Sequence, residues 1–492
     1  MEALISAVLG DLISRAVSIV VKKCADKQTT TEEDLQRLQQ LLLRISAVVE
    51  EAEGRCVTNQ GMIRQVSMML KQIFRGYYLL DSFKCIHNKT DDGDEEVSHS
   101  LFAQSKFNPA KRFRCLSSNS QIKSMLIGRD SSKELKQVVL GLESMVADMK
   151  EFAIFVMSYP RMYRQPYGAY LFLDKCMFGR QMEREQAISF LLQVEPPGDG
   201  NLGVLPIIGP AFIGKSTLVE HVCRDERVRD HFSLILFYRG NDLTYETVTT
   251  FRDHCVIKHQ NIASAEKRSL VVIEILGDVD QGAWKRLMHT YERFMAHGSK
   301  IIITSRSEKI VSVGTREAIK LNLLSKEAYW YFFKMLVFGS TDPEDHPKLT
   351  SIAMEIALGI HGSFMSAYVV AALLRENLSA QFGCRVLRQL RENTQKNTLM
   401  FGEYLEDHMS RYVWSIAGTR QGSEDRKLFL LHASYQKDPA AGGEVPRITM
   451  VDLLSRSSSA MPRKFEVLWW RSLIPPYYSY IYDCEFVRNT TP

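Results

Sequence analysis

The sequence predicts a multidomain protein in which an all-helical N-terminal unit precedes an α/β domain built on a parallel sheet. Over residues 1–159, apolar side chains recur every three or four positions, the spacing of helices that bury one face. From about residue 169, short and nearly continuous apolar runs alternate with helical patterns, as strands covered on both faces do. Between the first such run and the next helical pattern lies a glycine-bearing segment, GPAFIGKST.

The helical region divides into four segments. In the first, Leu4, Val8 and Leu12 run beside Leu9, Ile13, Val17 and Val20. The second has Thr30 and Glu33 spaced as a capping box, a stripe of Leu35, Leu38, Leu42, Ile45 and Val49, and Gly54 as its stop. The third carries Ile63, Val66, Leu70, Ile73, Tyr77 and Leu80, and the polar stretch His87–Ser100 after it reads as a mobile loop. The fourth covers Ser132–Tyr159, with Leu135, Val139, Leu142, Val146 and Met149 on its buried side. Together they imply a four-helix bundle. Such stripes are core first, and self-association or partner docking second.

Composition sets the class. A chain of 492 residues holds three or four domains of ordinary size. Hydrophobic residues at 45% and charged residues at 24% are a globular balance. A net charge of +5 does not argue for nucleic-acid binding, and the short basic run Lys111–Arg114 reads as a solvated patch. The nine cysteines form no CxxC pair and no zinc spacing, as in a cytoplasmic or nuclear protein with reduced thiols. Neither a secretory signal nor a transmembrane run of about 20 apolar residues is expected.

The predicted strands are Leu202–Ile208, Leu234–Tyr238, Leu270–Ile275 and Lys300–Thr304. Leu321–Asn377 returns to helix, with Trp330, Phe333 and Met335 facing a core. In the C-terminal part, Arg447–Leu453, Lys464–Trp470 and the tyrosine-rich run from Tyr477 to Tyr482 suggest a few strands. The aromatic rings there either stack on nucleobases or pack against the rest of the protein, and packing is favoured. The domains are therefore expected at 1–159, 160–318, 319–420 and 421–492.

Gly209, Pro210, Ala211, Phe212, Ile213, Gly214, Lys215, Ser216 and Thr217 satisfy GxxxxGK[ST] in full. A strand leads in and a helix leads out, as a phosphate-binding loop requires. Phosphates concentrate charge and acceptor oxygens, so the loop must turn its amides inward and keep side chains away at Gly209 and Gly214. Lys215 would reach the β- and γ-phosphates, and Ser216 offers a hydroxyl to Mg²⁺. The following helix aims its positive end at the phosphates. This makes the α/β unit a P-loop domain for ADP or ATP.

Partner motifs are weaker. A carboxylate is expected after a later strand, and either Glu274 or Asp278 could fill that role, or both are ordinary loop acids. No adjacent acidic pair stands at the strand end, so the protein is at most a slow ATPase. Arg306 follows the run Lys300–Thr304. Beside the phosphate-loop strand it would sense a γ-phosphate.

The ordered set resembles the plant intracellular immune receptors with a coiled-coil N-terminus and an NB-ARC domain, from residue 1 to about residue 400. Tyr78–Phe83 falls where that family's N-terminal domain carries an acidic contact motif, here with Asp81 as its one acid. Met177, Phe178, Gly179 and Arg180 resemble the motif whose backbone and arginine lie beside adenine in the family. Phe232–Tyr238, Gly298–Arg306 and Leu321–Phe338 are similar to later motifs, and the match implies a γ-phosphate sensor role for Arg306.

Gly362-Ser363-Phe364-Met365 stands where the family has Gly-Leu-Pro-Leu, without its proline. The Met-His-Asp switch motif is not recognisable at His408-Met409 or Leu431–Ala433, and no leucine-rich repeats follow. The resemblance implies an ADP/ATP switch or adaptor in plant immune signalling. Its implied partners are other immune receptors or signalling proteins, met through the N-terminal helices, and it implies an oligomer on activation. The alternative is a non-switching partner or decoy that keeps the fold without the nucleotide cycle.

Overall fold

The computed structural model describes residues 31–55, 57, 59–91, 120–160, 178–193, 202–210, 213–240, 255–260, 268–275, 279–401, 412–416, 427–437, 444–455, 464–472 and 478–487. The chain forms two compact units, Met1–Arg164 and Gln165–Pro492.

The described part of the first unit has three helices: α1 (31–53), α2 (Gln60–Asp91) and α3 (Ser120–Met157). The predicted first helix and Thr30 lie outside the described residues. Leu38, Leu42, Ile45 and Val49 of α1 are buried as their spacing predicts, and the helix ends at Gly54, whose amide donates to Glu50 O. Gly76 lets α1 and α2 approach: a Cβ there would lie 2.6 Å from Leu42 Cδ2.

On α2 the buried stripe is rotated from the predicted one. Ile63, Ile73 and Leu80 are inside together with Met69, Phe74, Leu79 and Phe83, while Val66, Leu70 and Tyr77 are half-buried. The first five residues of the predicted loop at His87 continue α2, and the rest lie outside the described residues. The α3 helix begins twelve residues before Ser132. Its Leu135, Val138, Val139 and Leu142 are buried. Asp81 is buried too.

In the second unit, α4 (Gln181–Leu192) precedes β1 (Gly203–Ile208), α5 (Lys215–Arg224), α6 (Glu226–His231) and β2 (Leu234–Gly240). Then come β3 (Val256–Gln260), β4 (Ser269–Ile275), α7 (Gln281–Phe294), β5 (Lys300–Ser305) and β6 (Ile319–Lys320). The sheet order is β3-β2-β4-β5-β1-β6. All neighbours are parallel except the edge strand β3, which sequence reasoning missed. Val256 and Ile257 of β3 are exposed, so it lacks the continuous burial that marks the other strands.

Both sheet faces are covered. Leu205, Ile207, Leu270, Val272 and Ile302 pack against Ile188 and Leu191 of α4 and Leu218, Val219 and Val222 of α5. Val204, Val271, Ile273, Ile301 and Ile303 pack against Trp284 and Leu287 of α7. This is the doubly covered sheet the apolar runs predict.

Four helices follow: α8 (Lys326–Phe338), α9 (Pro347–Gly359), α10 (Phe364–Glu376) and α11 (Ala380–Phe401). Trp330 and Phe333 are in the core as expected, whereas Met335 is half-buried. The C-terminal part forms an antiparallel sheet ordered β7-β8-β10-β9, from β7 (Tyr412–Ile416), β8 (Lys427–Lys437), β9 (Lys464–Arg471) and β10 (Ser479–Val487). The predicted strand Arg447–Leu453 is instead the start of α12 (Met450–Ser455). A capping box decides it. Asp452 Oδ2 accepts from the Thr449 amide and hydroxyl, and Thr449 Oγ1 accepts from the Asp452 amide. Val467, Trp469, Tyr482 and Cys484 of this sheet pack on Met365 and Val369 of α10 and on Met450.

Candidate functional site

The site forms at the C-terminal ends of β1, β5 and β4. Strand β1 is buried along its whole length and delivers Gly209 beside the backbone of Leu321, whose amide donates to Ile208 O. A Cβ on Gly209 would come within 2.7 Å of Leu321 O, so a backbone neighbour, besides any phosphate, demands glycine there. Gly214 differs. It has open space, but its φ of 95° lies in the left-handed region, where a side chain is strained.

Gly214 N-caps α5 without a side-chain cap, and the first turn holds no acid. The opening amides of a helix have no carbonyl of their own to bind. Here no carboxylate of the first turn competes for them, and the positive end of α5 is left for an anion. Ser216 and Thr217 are half-buried in that turn, and Ile213 is buried in the core below it. Ala211 and Phe212 lie outside the described residues.

Lys215 folds back over the loop. Its ammonium donates to Gly209 O at 2.8 Å and to Pro210 O at 2.7 Å. Burial pushes its pKa down to about 8, the positive charge of Arg306 adds to the fall, and Glu274 partly opposes it. The negative charge of a polyphosphate would offset both the desolvation and the repulsion. Arg306 follows β5, which pairs with β1 in parallel register. The strand adjacency that a γ-phosphate sensor needs is therefore present.

Glu274 belongs to strand β4, which runs through Ile275, rather than to a loop. One register row crosses the sheet through Arg239, Glu274, Thr304 and Ile207. Strand alternation places Glu274 on the face of Leu270 and Val272, which carries α5. Its Oε2 accepts from Arg239 Nε at 3.1 Å and Nη2 at 2.8 Å, while Oε1 is buried with no hydrogen-bond partner among the described residues. That open carboxylate oxygen and the Ser216 hydroxyl are oxygen ligands of the type an Mg²⁺ ion takes. Asp278 lies outside the described residues, and among those described no group of three or more His, Cys, Asp or Glu residues could hold a metal.

The residues before α4 build the far side. Gly179 has φ 69°, and a Cβ there would meet Leu324 at 2.9 Å. Arg180 is buried, its Nη2 donating to Asn322 O at 2.6 Å and its Nη1 to Glu183 at 3.3 Å. It ties the start of α4 to the chain beyond β6. Phe178 packs on Phe332 at 5.3 Å and on Tyr331 at 6.1 Å between ring centroids. Phe364, where the resembling family has a proline, meets the same Phe332 edge-on at 5.3 Å. Met177 lies outside the described residues, but Phe178, Phe332 and Phe364 bring three separate sequence motifs into one aromatic cluster.

Three participants were not foreseen. Lys300 is buried, with its ammonium donating to Phe190 O and Gln193 O, both at 2.8 Å, so it caps the end of α4. Arg239 holds Glu274 and also donates to the Tyr478 hydroxyl. Arg239 carried the same sequence signal as Arg306, a cation closing an apolar parallel strand. Tyr478, 239 residues away, carried none.

Residues 181–343 match the family model described as the NB-ARC domain. The chain is 24% identical over 360 residues to disease resistance protein RGA2 of Solanum bulbocastanum, covering 70% of this chain and 34% of that protein. It is 23% identical over 398 residues to putative disease resistance RPP13-like protein 1 of Arabidopsis thaliana, covering 76% of this chain and 36% of that one. The chain thus spans about a third of the length of these curated relatives. Among solved structures, that of C. elegans PCH-2 aligns with a TM-score of 0.30 and 12% identity over 44% of this chain and 70% of that one. The chain carries an NB-ARC domain and is a homologue of plant disease resistance proteins.

Proposed function

We propose that the chain is an adenine-nucleotide switch or adaptor in plant defence signalling, holding ADP or ATP on the Gly209–Thr217 loop. One observation carries this reading: the uncapped N-terminus of α5, Lys215 and Arg306 are assembled at the C-terminal ends of the adjacent parallel strands β1 and β5. Three cationic or donor groups crowd there, and burial and mutual repulsion depress the pKa of Lys215. A polyanion satisfies all of them at once.

Gly209 through Thr217 would wrap the phosphates, and Lys215 would swing from its loop carbonyls to the β- and γ-oxygens. Arg306 would meet the γ-phosphate, so that a triphosphate gains a contact a diphosphate lacks. That differential contact is what a switch requires. Phe178, Gly179 and Arg180 would border the base. Ser216 and Glu274 would hold Mg²⁺, which supplies positive charge between the phosphates. The names of the relatives support a defence role, and the N-terminal helices are the natural surface for partner receptors, signalling proteins or further copies. No described helix is long and apolar enough to cross a membrane, and the reading places the protein in the cytoplasm.

The test is to denature the purified chain and identify what it releases by chromatography. The reading expects close to one ADP per chain. A protein that releases nothing and takes up no added ADP would refute it.

A further inference from the structure

The two edges of the six-stranded sheet differ. At one edge β6 has two residues, too few to template a neighbour, whereas β3 at the other has five. The inner side of β3 pairs with β2, and among the described residues no strand pairs with its outer side. Such a strand keeps half of its amides and carbonyls turned away from the sheet, open to an extended chain.

The side chains of β3 suit a partner strand. Val256 is 55% exposed and Ile257 57% exposed. Being consecutive, they stand on opposite faces of the strand. No other large apolar side chain of this sheet is exposed among the described residues. Natural sheets blunt an edge of this kind with a lysine or a bulge, and β3 has both at one position. Its register steps from Ile257 opposite Leu236 to His259 opposite Ile235, so Lys258 is the extra residue of a bulge.

That lysine selects among occupants. If two copies of the chain paired about the middle of β3, Lys258 would stand against Lys258 of the second copy, and like charges directly opposite repel. A strand carrying a carboxylate there is attracted instead. β3 contains no acid, and Lys258 is in no ion pair among the described residues. Its ammonium lies over the Phe237 ring, 5.6 Å from the centroid. Helix α6 meets the same edge through the contact of His259 Nε2 with Arg229 O at 3.2 Å. On α6 the exposed Glu226 and Asp230 balance Arg227 and Arg229. The positive character of the edge therefore rests on Lys258.

We propose that β3 is a docking edge for an extended acidic segment of a partner protein, which joins the sheet as a new outermost strand and sets a carboxylate against Lys258. Main-chain hydrogen bonds supply the affinity, and apolar side chains over Val256 and Ile257 set the register. Strands β2, β4 and β5 separate this edge from β1 and the phosphate loop, so docking is independent of the nucleotide reading.

Two synthetic peptides of about eight residues test this, one alternating valine with glutamate and the other valine with lysine. Amide hydrogen exchange of the full chain is followed in residues 255–260 as each peptide is added up to about 1 mM. The acidic peptide is expected to slow exchange there, and to bind at least about fivefold more tightly than the basic one. Added salt should narrow that difference, because exposed charges are screened. Lys258→Glu should reverse the preference. Ile257→Thr, which keeps a β-branched side chain and removes apolar surface, should weaken both peptides and serves if the lysine variant folds poorly. No slowing by either peptide, or equal slowing by both, overturns the proposal. So does protection of residues 255–260 that grows with protein concentration alone, which would assign the edge to a second copy.

Discussion

Two glycines of the phosphate loop are required for different reasons, and that difference can be measured. A Cβ on Gly209 meets a backbone oxygen that cannot move aside, whereas one on Gly214 meets nothing but sits at positive φ. Without nucleotide, Gly209→Ala should cost about 2–3 kcal/mol through overpacking, and Gly214→Ala about 1–2 kcal/mol through strain. Thermal unfolding of the two variants checks the order; equal melting points would remove the role assigned to Leu321 O. Lys300 is a second residue whose sequence context misleads. It opens an apolar strand and looks like a surface cation, yet it is buried on two carbonyls. Lys300→Met should lose about 2–4 kcal/mol, because both carbonyls are left unpaired.

His221, buried near the end of α5, gives a pH signature. Burial first, then the charges of Arg184 and Arg224, push its pKa down to about 4. The unfolded chain then takes up a proton between about pH 6.5 and 4 that the folded chain refuses. The contribution of His221 to stability is therefore complete above about pH 6.5 and declines as pH falls toward 4, by on the order of 2 kcal/mol. His221→Gln should flatten that part of the stability curve in urea titrations, and an unchanged slope would count against the burial argument.

At the scale of elements, the legible features were those whose physics is local. The strands β1, β2, β4 and β5 announce themselves because burial on two faces leaves no polar alternation. The phosphate loop announces itself because glycines, a lysine and a hydroxyl have fixed offsets. What escaped was set by partners. Edge strand β3 has an open face, and α12 replaced a predicted strand because Thr449 and Asp452 cap each other. On α2 the stripe is rotated because packing against α1, at Gly76, selects the inward face. Gly76→Ala adds a methyl against the buried Leu42. Overpacking of about 1–3 kcal/mol opposes a helix-propensity gain of about 1 kcal/mol, so a small net loss is expected. Faster hydrogen exchange in residues 60–91 would show it, and slower exchange would mean the two helices have room to spare.

For the whole molecule, the site was half legible. The loop could be read from nine consecutive residues. The meaning of Arg306 depended on which strand neighbours β1, and only the sheet order β4-β5-β1 supplies that. Glu274 and Asp278 were the two candidate acids; the burial of Glu274, its register row and its bond to Arg239 come from strand pairing that no local pattern gives, and Asp278 lies outside the described residues. The link from Tyr478 to Arg239 crosses most of the second unit, and no local pattern encodes such a contact. The departures from the resembling family fall in the same class. Phe364, where the resembling family has a proline, makes an edge-on contact with Phe332.

The central claim is that Lys215 and the opening turn of α5 hold a polyphosphate. Calorimetric titration of ADP into the chain and into Lys215→Ala, with circular dichroism to show equal helix content, is the direct measure. The account predicts a saturable exothermic binding in the first and at least a tenfold weaker one in the second, since a charge-assisted contact is lost. Equal affinities in the two proteins, or heat from neither, would contradict it.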